Sequence, residues 1–175
     1  MAARRVVYPG TFDPVHNGHL DIVMRAARAF DEVIVAVYNT PAKKLLFSTE
    51  ERVELLQQLL KNVKNVGVVP FNGLVVEFVR HQNAFAIVRG LRVFSDFELE
   101  FRMALANRRL APEIEVLNFI SDEKHLHISS STVREIAQLG GDVSSMVPSI
   151  VSEALKAKFN GADRPEHNYS ISLQD

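Results

Sequence analysis

Two histidines, His16 and His19, flank Gly18 where a loop leads into a predicted helix. The N-terminus of a helix exposes backbone N–H groups and carries partial positive charge, so it favours a bound phosphate. Gly18 allows close approach of a ligand to the backbone, and His19 adds a ring N–H donor or a positive charge. The pattern favours recognition of a phosphoryl group during displacement. Simple capping and metal ligation are the alternatives, and Asp13 is the only obvious third ligand for a metal.

Cationic side chains follow two further apolar runs. Arg89 and Arg92 flank a glycine, and their forked donors match phosphate oxygens. Lys43 and Lys44 come after a buried strand and are either a solvated pair or a ligand contact. Glu100 either complements the dipole of its helix or accepts a hydrogen bond from a base or ribose.

Small hydroxyl residues precede another predicted helix, at Ser129, Ser130, Ser131 and Thr132. Such residues cap helices, but four in a row exceed what a cap requires and also suit a polyphosphate. The chain has neither a GxxxxGK[ST] nor a GxGxxG pattern, which argues against a P-loop NTPase and a common dinucleotide-binding fold.

The elements that must position these residues alternate along the chain. Short β-branched apolar runs predict strands, and apolar residues at helical spacing predict the intervening helices. Strands are predicted at 6–8, 33–38, 65–69, 84–88 and 114–120, and helices at 20–30, 48–60, 73–82, 96–110, 129–138 and 148–159. Long crossovers require parallel pairing. We therefore expect an α/β fold, a Rossmann-like doubly wound five-stranded parallel sheet with helices on both faces.

The carboxyl ends of parallel strands lie at one edge of a sheet, where ligands bind near the topological switch point. Each group of unusual residues follows a different strand of the predicted sheet. We therefore expect residues 11–19, Lys43, Gly73, residues 89–92 and residues 125–131 to line one edge.

The composition is that of an ordinary globular protein. The 175 residues are 47% hydrophobic and 23% charged, with a net charge of -1, which gives no indication of nucleic-acid or membrane binding. The absence of cysteine excludes disulfides and zinc-thiolate sites. No run reaches the roughly 18 apolar residues of a spanning helix, and we expect a cytoplasmic protein. We predict one domain over residues 1–160 and a disordered tail over 161–175.

Several separated motifs resemble those of the phosphopantetheine adenylyltransferases, within the nucleotidyltransferase superfamily that carries the (H/T)xGH motif. That motif corresponds to residues 16–19, and the likeness extends over residues 6–159. It includes residues 8–14, 41–44, 50–52, 89–92, 96–100, 107–108, 128–131 and 140–143. The resemblance implies that 4'-phosphopantetheine attacks the α-phosphorus of ATP and gives dephospho-coenzyme A and pyrophosphate, assisted by Mg²⁺.

The resemblance also implies roles for individual residues. His19 matches the histidine that steadies the α-phosphate in the transition state. The residues that match the 4'-phosphopantetheine side are Thr11, Lys43, Val75 and Arg89. The residues that match the ATP side are Thr11, Phe12, His19, Gly90, Leu91, Arg92, Glu100, His125, Leu126, His127, Ile128, Ser129, Ser130 and Ser131. No protein ligand to the metal is implied, since the ATP phosphates hold Mg²⁺.

Two positions depart from the family pattern. His16 stands where threonine is usual, and residues 124–127 lack the usual aromatic side chain. A histidine at position 16 is commoner in nicotinate-mononucleotide adenylyltransferases, which are therefore the alternative family. A non-catalytic nucleotide sensor is a second alternative function. The resemblance further implies a homohexamer, and the shared pantetheine arm suggests competition by coenzyme A.

Overall fold

A computed structural model describes residues 3–39 and 45–159. Lys43 and the predicted tail of residues 161–175 lie outside these ranges.

Five parallel strands form one sheet: β1 (Arg5–Gly10), β2 (Glu32–Tyr38), β3 (Val66–Phe71), β4 (Ala86–Leu91) and β5 (Glu115–Ile120). Their order is β3-β2-β1-β4-β5, so the chain winds outward from β1 to β3 and then crosses back to β4. The predicted sheet is confirmed, and its topological switch point lies between β1 and β4.

Six α-helices connect or follow the strands: α1 (Asn17–Ala29), α2 (Thr49–Leu60), α3 (Val75–His81), α4 (Phe94–Leu110), α5 (Ser130–Gln138) and α6 (Ser149–Phe159). A 3₁₀ turn at Glu123–His125 lies between β5 and α5. Within the described ranges, no helix combines the length and apolar character needed to cross a membrane.

The central strands are buried on both faces because consecutive side chains point to opposite sides of the sheet. Val6 belongs to a core cluster with α1, α2, α5 and α6, whereas Val7 belongs to a second cluster with α3. This arrangement explains why the strands read as continuous apolar runs rather than as alternating ones.

Strands β1, β3 and β4 continue two or three residues beyond their predicted carboxyl ends. β1 continues through Gly10, which pairs with Val37, and α1 begins at Asn17, so only residues 11–16 connect them. β4 continues through Leu91, which pairs with Ile120. In each case pairing with a neighbouring strand extends the element beyond its apolar run, so Arg89 projects from a strand and not from a loop.

Candidate active site

Two adjoining cavities open at the carboxyl ends of β1 and β4. The polar cavity, of about 360 Å³, lies at the N-termini of α1 and α5. It is lined by Tyr8, Pro9, Gly10, Thr11, Phe12, His16, Gly18, His19, Ile22, Arg89, Gly90, Arg92, Asp96, Leu99, Glu100, Ser121, Ser129, Ser130 and Ser131.

The apolar cavity, of about 380 Å³, lies between α3 and α4. Its walls are mostly aliphatic and aromatic, and include Tyr38, Phe71, Leu74, Val75, Val76, Ile87, Met103, Ala104, Ala106, Asn107, Leu110 and Val116. It shares Pro9, Gly10, Thr11, Arg89 and Glu100 with the polar cavity. The two cavities therefore form an elongated site that is charged at one end and apolar at the other.

His16 and His19 form a reciprocal cap at the start of α1. The His19 backbone N–H donates to Nδ1 of His16 at 3.3 Å, and the His16 backbone N–H donates to Nδ1 of His19 at 3.3 Å. The rings stack with centroids 3.6 Å apart and 20° between their planes. Because both Nδ1 atoms accept, each neutral ring carries its proton on Nε2.

Burial keeps both imidazoles neutral. Desolvation, with the positive charge of Arg92 and the neighbouring His125, lowers the pKa of His16 to about 3. Desolvation, then His16, Arg92 and Arg89, holds the pKa of His19 well below its usual range. His19 therefore presents an uncharged imidazole with its N–H on Nε2, and not an imidazolium.

His19 also packs against Phe12, with ring centroids 5.0 Å apart and planes at 76°. Phe12 is 2% exposed and has a φ of 53°, which is uncommon for a residue other than glycine. Gly10 makes room for its ring, because a Cβ at position 10 would lie 2.7 Å from Phe12 Cζ. The backbone of Phe12 is therefore held in a strained conformation that packs its ring against His19.

Arg89 and Glu100 are paired at the boundary of the two cavities. Nε of Arg89 donates to Glu100 Oε2 at 2.7 Å, Nη2 bonds to Oε1, and Nη1 donates to the Pro9 carbonyl at 3.0 Å. This bidentate pair fixes the guanidinium plane and leaves two of its five N–H donors for a ligand.

Arg92 extends into the polar cavity from the end of β4. Its Nε donates to Asp96 Oδ2 at 3.0 Å, and its Nη1 donates to the Ile128 carbonyl at 2.6 Å. Arg92 thus connects β4 to the segment that precedes α5, and its charge faces the His16–His19 pair.

The hydroxyls at the start of α5 serve mainly as structural partners. Ser129 is the N-cap, and its Oγ accepts from the Thr132 N–H at 3.1 Å. Ser130 Oγ donates to the Pro14 carbonyl at 2.9 Å, which ties α5 to the loop before α1. Phosphate recognition at this edge would therefore come from backbone N–H groups of the first helical turn more than from the hydroxyls.

The structure brings most of the sequence-predicted site together. Of the residues expected to bind ATP, those that line the polar cavity are Thr11, Phe12, His19, Gly90, Arg92, Glu100, Ser129, Ser130 and Ser131. Those that do not line it are Leu91, His125, Leu126, His127 and Ile128. Of the residues expected to bind 4'-phosphopantetheine, Thr11, Val75 and Arg89 line the apolar cavity. Lys43 lies outside the described residues.

Two buried charged residues, to which the sequence assigned no such role, hold the site in place. Asp13, 1% exposed, accepts from the Leu46 N–H and the Phe47 N–H, each at 2.9 Å, and pairs with Arg134 at 3.3 Å. Arg52 donates to the carbonyls of Thr11 at 2.7 Å and Tyr38 at 2.9 Å. Charged residues are rarely buried, so their burial would have indicated that Asp13 and Arg52 are important. That burial cannot be recognised from the sequence alone.

The switch point of the parallel sheet brings together an imidazole, two helix N-termini and a polar cavity of about 360 Å³, and this combination suits the phosphates of a nucleotide. The family described as "Cytidylyltransferase-like" matches residues 7–136. Phosphopantetheine adenylyltransferases from Methylacidiphilum infernorum and Caldanaerobacter subterraneus are each 51% identical, covering 89% of this chain and 91% and 98% of their own lengths. A third, from Roseiflexus sp., is 54% identical over 87% of this chain and 96% of its own length.

Solved structures support the fold. A bifunctional NMN adenylyltransferase/ADP ribose pyrophosphatase from Francisella tularensis has a TM-score of 0.70 at 18% identity, over 92% of this chain and 51% of that one. A putative nicotinate-nucleotide adenylyltransferase from Vibrio parahaemolyticus has a TM-score of 0.64 at 19% identity, over 86% of this chain and 97% of that one. On its sequence relatives, this chain belongs to the phosphopantetheine adenylyltransferase family of nucleotidyltransferases.

Proposed function

We propose that this chain transfers the adenylyl group of ATP to 4'-phosphopantetheine, which gives dephospho-coenzyme A and pyrophosphate. The observation that carries the proposal is the pair of adjoining cavities. The polar cavity suits a nucleoside triphosphate, and the apolar one suits the long arm of the acceptor. The residues common to both, Thr11 and Arg89 among them, lie where the acceptor phosphate meets the α-phosphate.

The reaction is an in-line displacement. A phosphate oxygen of 4'-phosphopantetheine forms a bond to the α-phosphorus as the bond to the bridging oxygen breaks, and pyrophosphate leaves. Nε2–H of His19 donates to the α-phosphate oxygen on which charge develops. Arg89 and the first N–H groups of α1 and α5 orient the phosphates. No protein nucleophile is required, because phosphoryl transfer depends mainly on positioning and charge stabilisation.

We propose that Mg²⁺ enters with the phosphates of ATP and neutralises their charge. The donor set fits this arrangement. The two carboxylates that line the polar cavity, Asp96 and Glu100, each bond an arginine. Within the described ranges, no three metal-ligating side chains cluster to form a protein cage. Mg²⁺ bound mainly through phosphates is common in such sites.

Release of pyrophosphate from ATP tests the function. We expect release with 4'-phosphopantetheine as acceptor and none with nicotinate mononucleotide. The reverse pattern would assign the chain to nicotinate-mononucleotide adenylyltransferase activity, and ATP binding without turnover of either acceptor would indicate a nucleotide sensor.

We also propose a homohexamer in the cytoplasm, and the exposed face of α4 supports self-association. Phe94 is 86% exposed. Phe97 stacks on Phe94, Phe101 stacks on Phe97, and both are also exposed. A contiguous apolar face of this kind is typical of an interface. Light scattering should give a six-fold mass that Phe101→Glu reduces, whereas the control Gln57→Glu on exposed α2 surface should not. A monomeric wild-type protein would contradict the proposal.

Feedback by coenzyme A is the remaining part of the proposal. Coenzyme A carries the same pantetheine arm as the acceptor, so it should occupy the apolar cavity. We expect coenzyme A to raise the apparent KM for 4'-phosphopantetheine. An inhibition that the acceptor cannot overcome would place coenzyme A elsewhere.

A further inference from the structure

His16 has no role in the reaction proposed above, although it is among the most buried polar residues of the site. Its side chain is 4% exposed and lines the polar cavity. Ser48, which caps α2, provides the same N-cap acceptor with a small hydroxyl. An imidazole at position 16 therefore requires an explanation beyond capping.

We propose that His16 is a positioning residue that holds the imidazole of His19 in one orientation and one tautomer, with Nε2 as the only free ring nitrogen. The proposal rests on the adenylyl transfer proposed above. Its basis is the reciprocal pair of 3.3 Å hydrogen bonds between the two residues and the 3.6 Å stacking of their rings. The His16 backbone N–H fixes Nδ1 as the accepting nitrogen of His19, the His16 ring anchors the His19 backbone N–H, and the stacking fixes the plane of the His19 ring.

The surroundings leave the His19 ring little freedom. His16 covers one face of the ring, and Phe12 makes a T-shaped contact with it. Rotation of the ring by half a turn would place a carbon atom against the His16 N–H and leave that buried donor without an acceptor. Neither Nε2 atom donates to any residue in the ranges that the structure describes, so Nε2 of His19 stays available to a ligand.

Gly18 is explained by the same arrangement. A Cβ at position 18 would lie 3.2 Å from Cε1 and from Nδ1 of His16, and 3.5 Å from Cβ of His125. The glycine between the two histidines therefore leaves space for the ring of His16 as well as for a ligand. The charges that face the pair are those of Arg89 and Arg92, and both oppose protonation of His19.

Two variants separate positioning from other roles of His16. His16→Ala removes the acceptor and the ring, whereas His16→Asn restores an acceptor for the His19 N–H. We expect His16→Ala to lower kcat by about 10-fold to 100-fold with KM for ATP changed less than about threefold, because a misplaced catalytic group affects the transition state. His16→Asn should recover at least half of that loss on a logarithmic scale. His81→Ala, on an exposed histidine at the end of α3, is the control.

The kcat, the KM and the thermal unfolding of each variant together decide the proposal. An unchanged kcat in His16→Ala, or a rise in KM alone, would overturn it. His16→Asn as slow as His16→Ala would overturn the role of the acceptor, because the two variants both lack the ring and differ in that acceptor. A wild-type protein without turnover contradicts the proposed function, and the measurement on the ligand-free protein described next still tests the positioning.

That measurement is ¹⁵N NMR of histidine-labelled, ligand-free protein, with the His19 signals assigned from a His19→Gln sample. At pH 7.5 we expect Nδ1 of His19 unprotonated and Nε2 protonated in a single state. This result does not depend on activity or on the folding of any His16 variant. A mixture of tautomers, or a proton on Nδ1, would overturn the proposal.

Discussion

Gly10→Ala tests whether the aromatic packing around His19 matters for catalysis. The added methyl would lie 2.7, 2.9 and 3.0 Å from three atoms of the Phe12 ring, where carbon atoms prefer about 3.5–4.0 Å. The ring must therefore move by nearly an ångström. Phe12 is 2% exposed and already packs against Tyr8 and His19, so movement of its ring disturbs both contacts.

Overpacking of a filled site costs about 1–3 kcal/mol. For a domain of this size we expect the Tm to fall by about 2–10 °C. The shift of Phe12 also removes a restraint on the His19 imidazole. Displacement of a catalytic group by about 1 Å can lower kcat by up to 10²-fold, so we expect a loss of about 10-fold or more with little change in KM.

Thermal unfolding and steady-state release of pyrophosphate measure the two effects. Gly67→Ala is the matched control, because it makes the same substitution in β3, where a Cβ would meet nothing within 4 Å. The control should keep both Tm and kcat. A Gly10→Ala protein with wild-type Tm and kcat would refute the idea that Phe12 fixes His19.

Three further predictions concern charge. Asp13→Ala removes the buried carboxylate that accepts from the Leu46 and Phe47 N–H groups and pairs with Arg134. It should lower the free energy of unfolding in urea by about 3–5 kcal/mol; a loss below about 1 kcal/mol would contradict the role of Asp13. Because folding lowers the pKa of His16 to about 3, the unfolded chain binds more protons than the folded one below pH 6.5, and stability falls as the pH falls. Between pH 6.5 and 5, the free energy of unfolding should therefore decrease by about 1–2 kcal/mol more for wild type than for His16→Asn, and equal decreases would contradict this. Arg89→Ala should raise the KM for 4'-phosphopantetheine by about 10-fold. A change in the KM for ATP alone would contradict the assignment of Arg89 to the 4'-phosphopantetheine side.

The fold could be predicted because its determinants are local. The β-branched run at 33–38 and the Ser48–Glu51 capping box each identify an element from neighbouring residues alone, and the structure has both β2 and the capped start of α2 there. The parallel order of the sheet then brings the distant motifs to one edge without further information.

The internal contacts of the site could not be predicted, because they depend on side chains that meet only after folding. Arg89 and Glu100 were expected on opposite substrates, yet the turn between β4 and α4 brings them into one ion pair. The spacing of His16 and His19 indicated a phosphate site, but not that their rings stack or that both Nδ1 atoms accept. The burial of Asp13 and Arg52 likewise appears only when three elements pack together.

The central claim is that Nε2–H of His19 stabilises the transition state of adenylyl transfer. The most direct measurement is the kcat and KM of His19→Asn and His19→Gln, two uncharged amides that differ in length. The amide nitrogen of Gln reaches about as far as Nε2, whereas that of Asn does not. We predict that His19→Asn lowers kcat by about 10²-fold or more with KM for both substrates nearly unchanged, and that His19→Gln retains part of the activity. A raised KM with an unchanged kcat in His19→Asn would contradict the account.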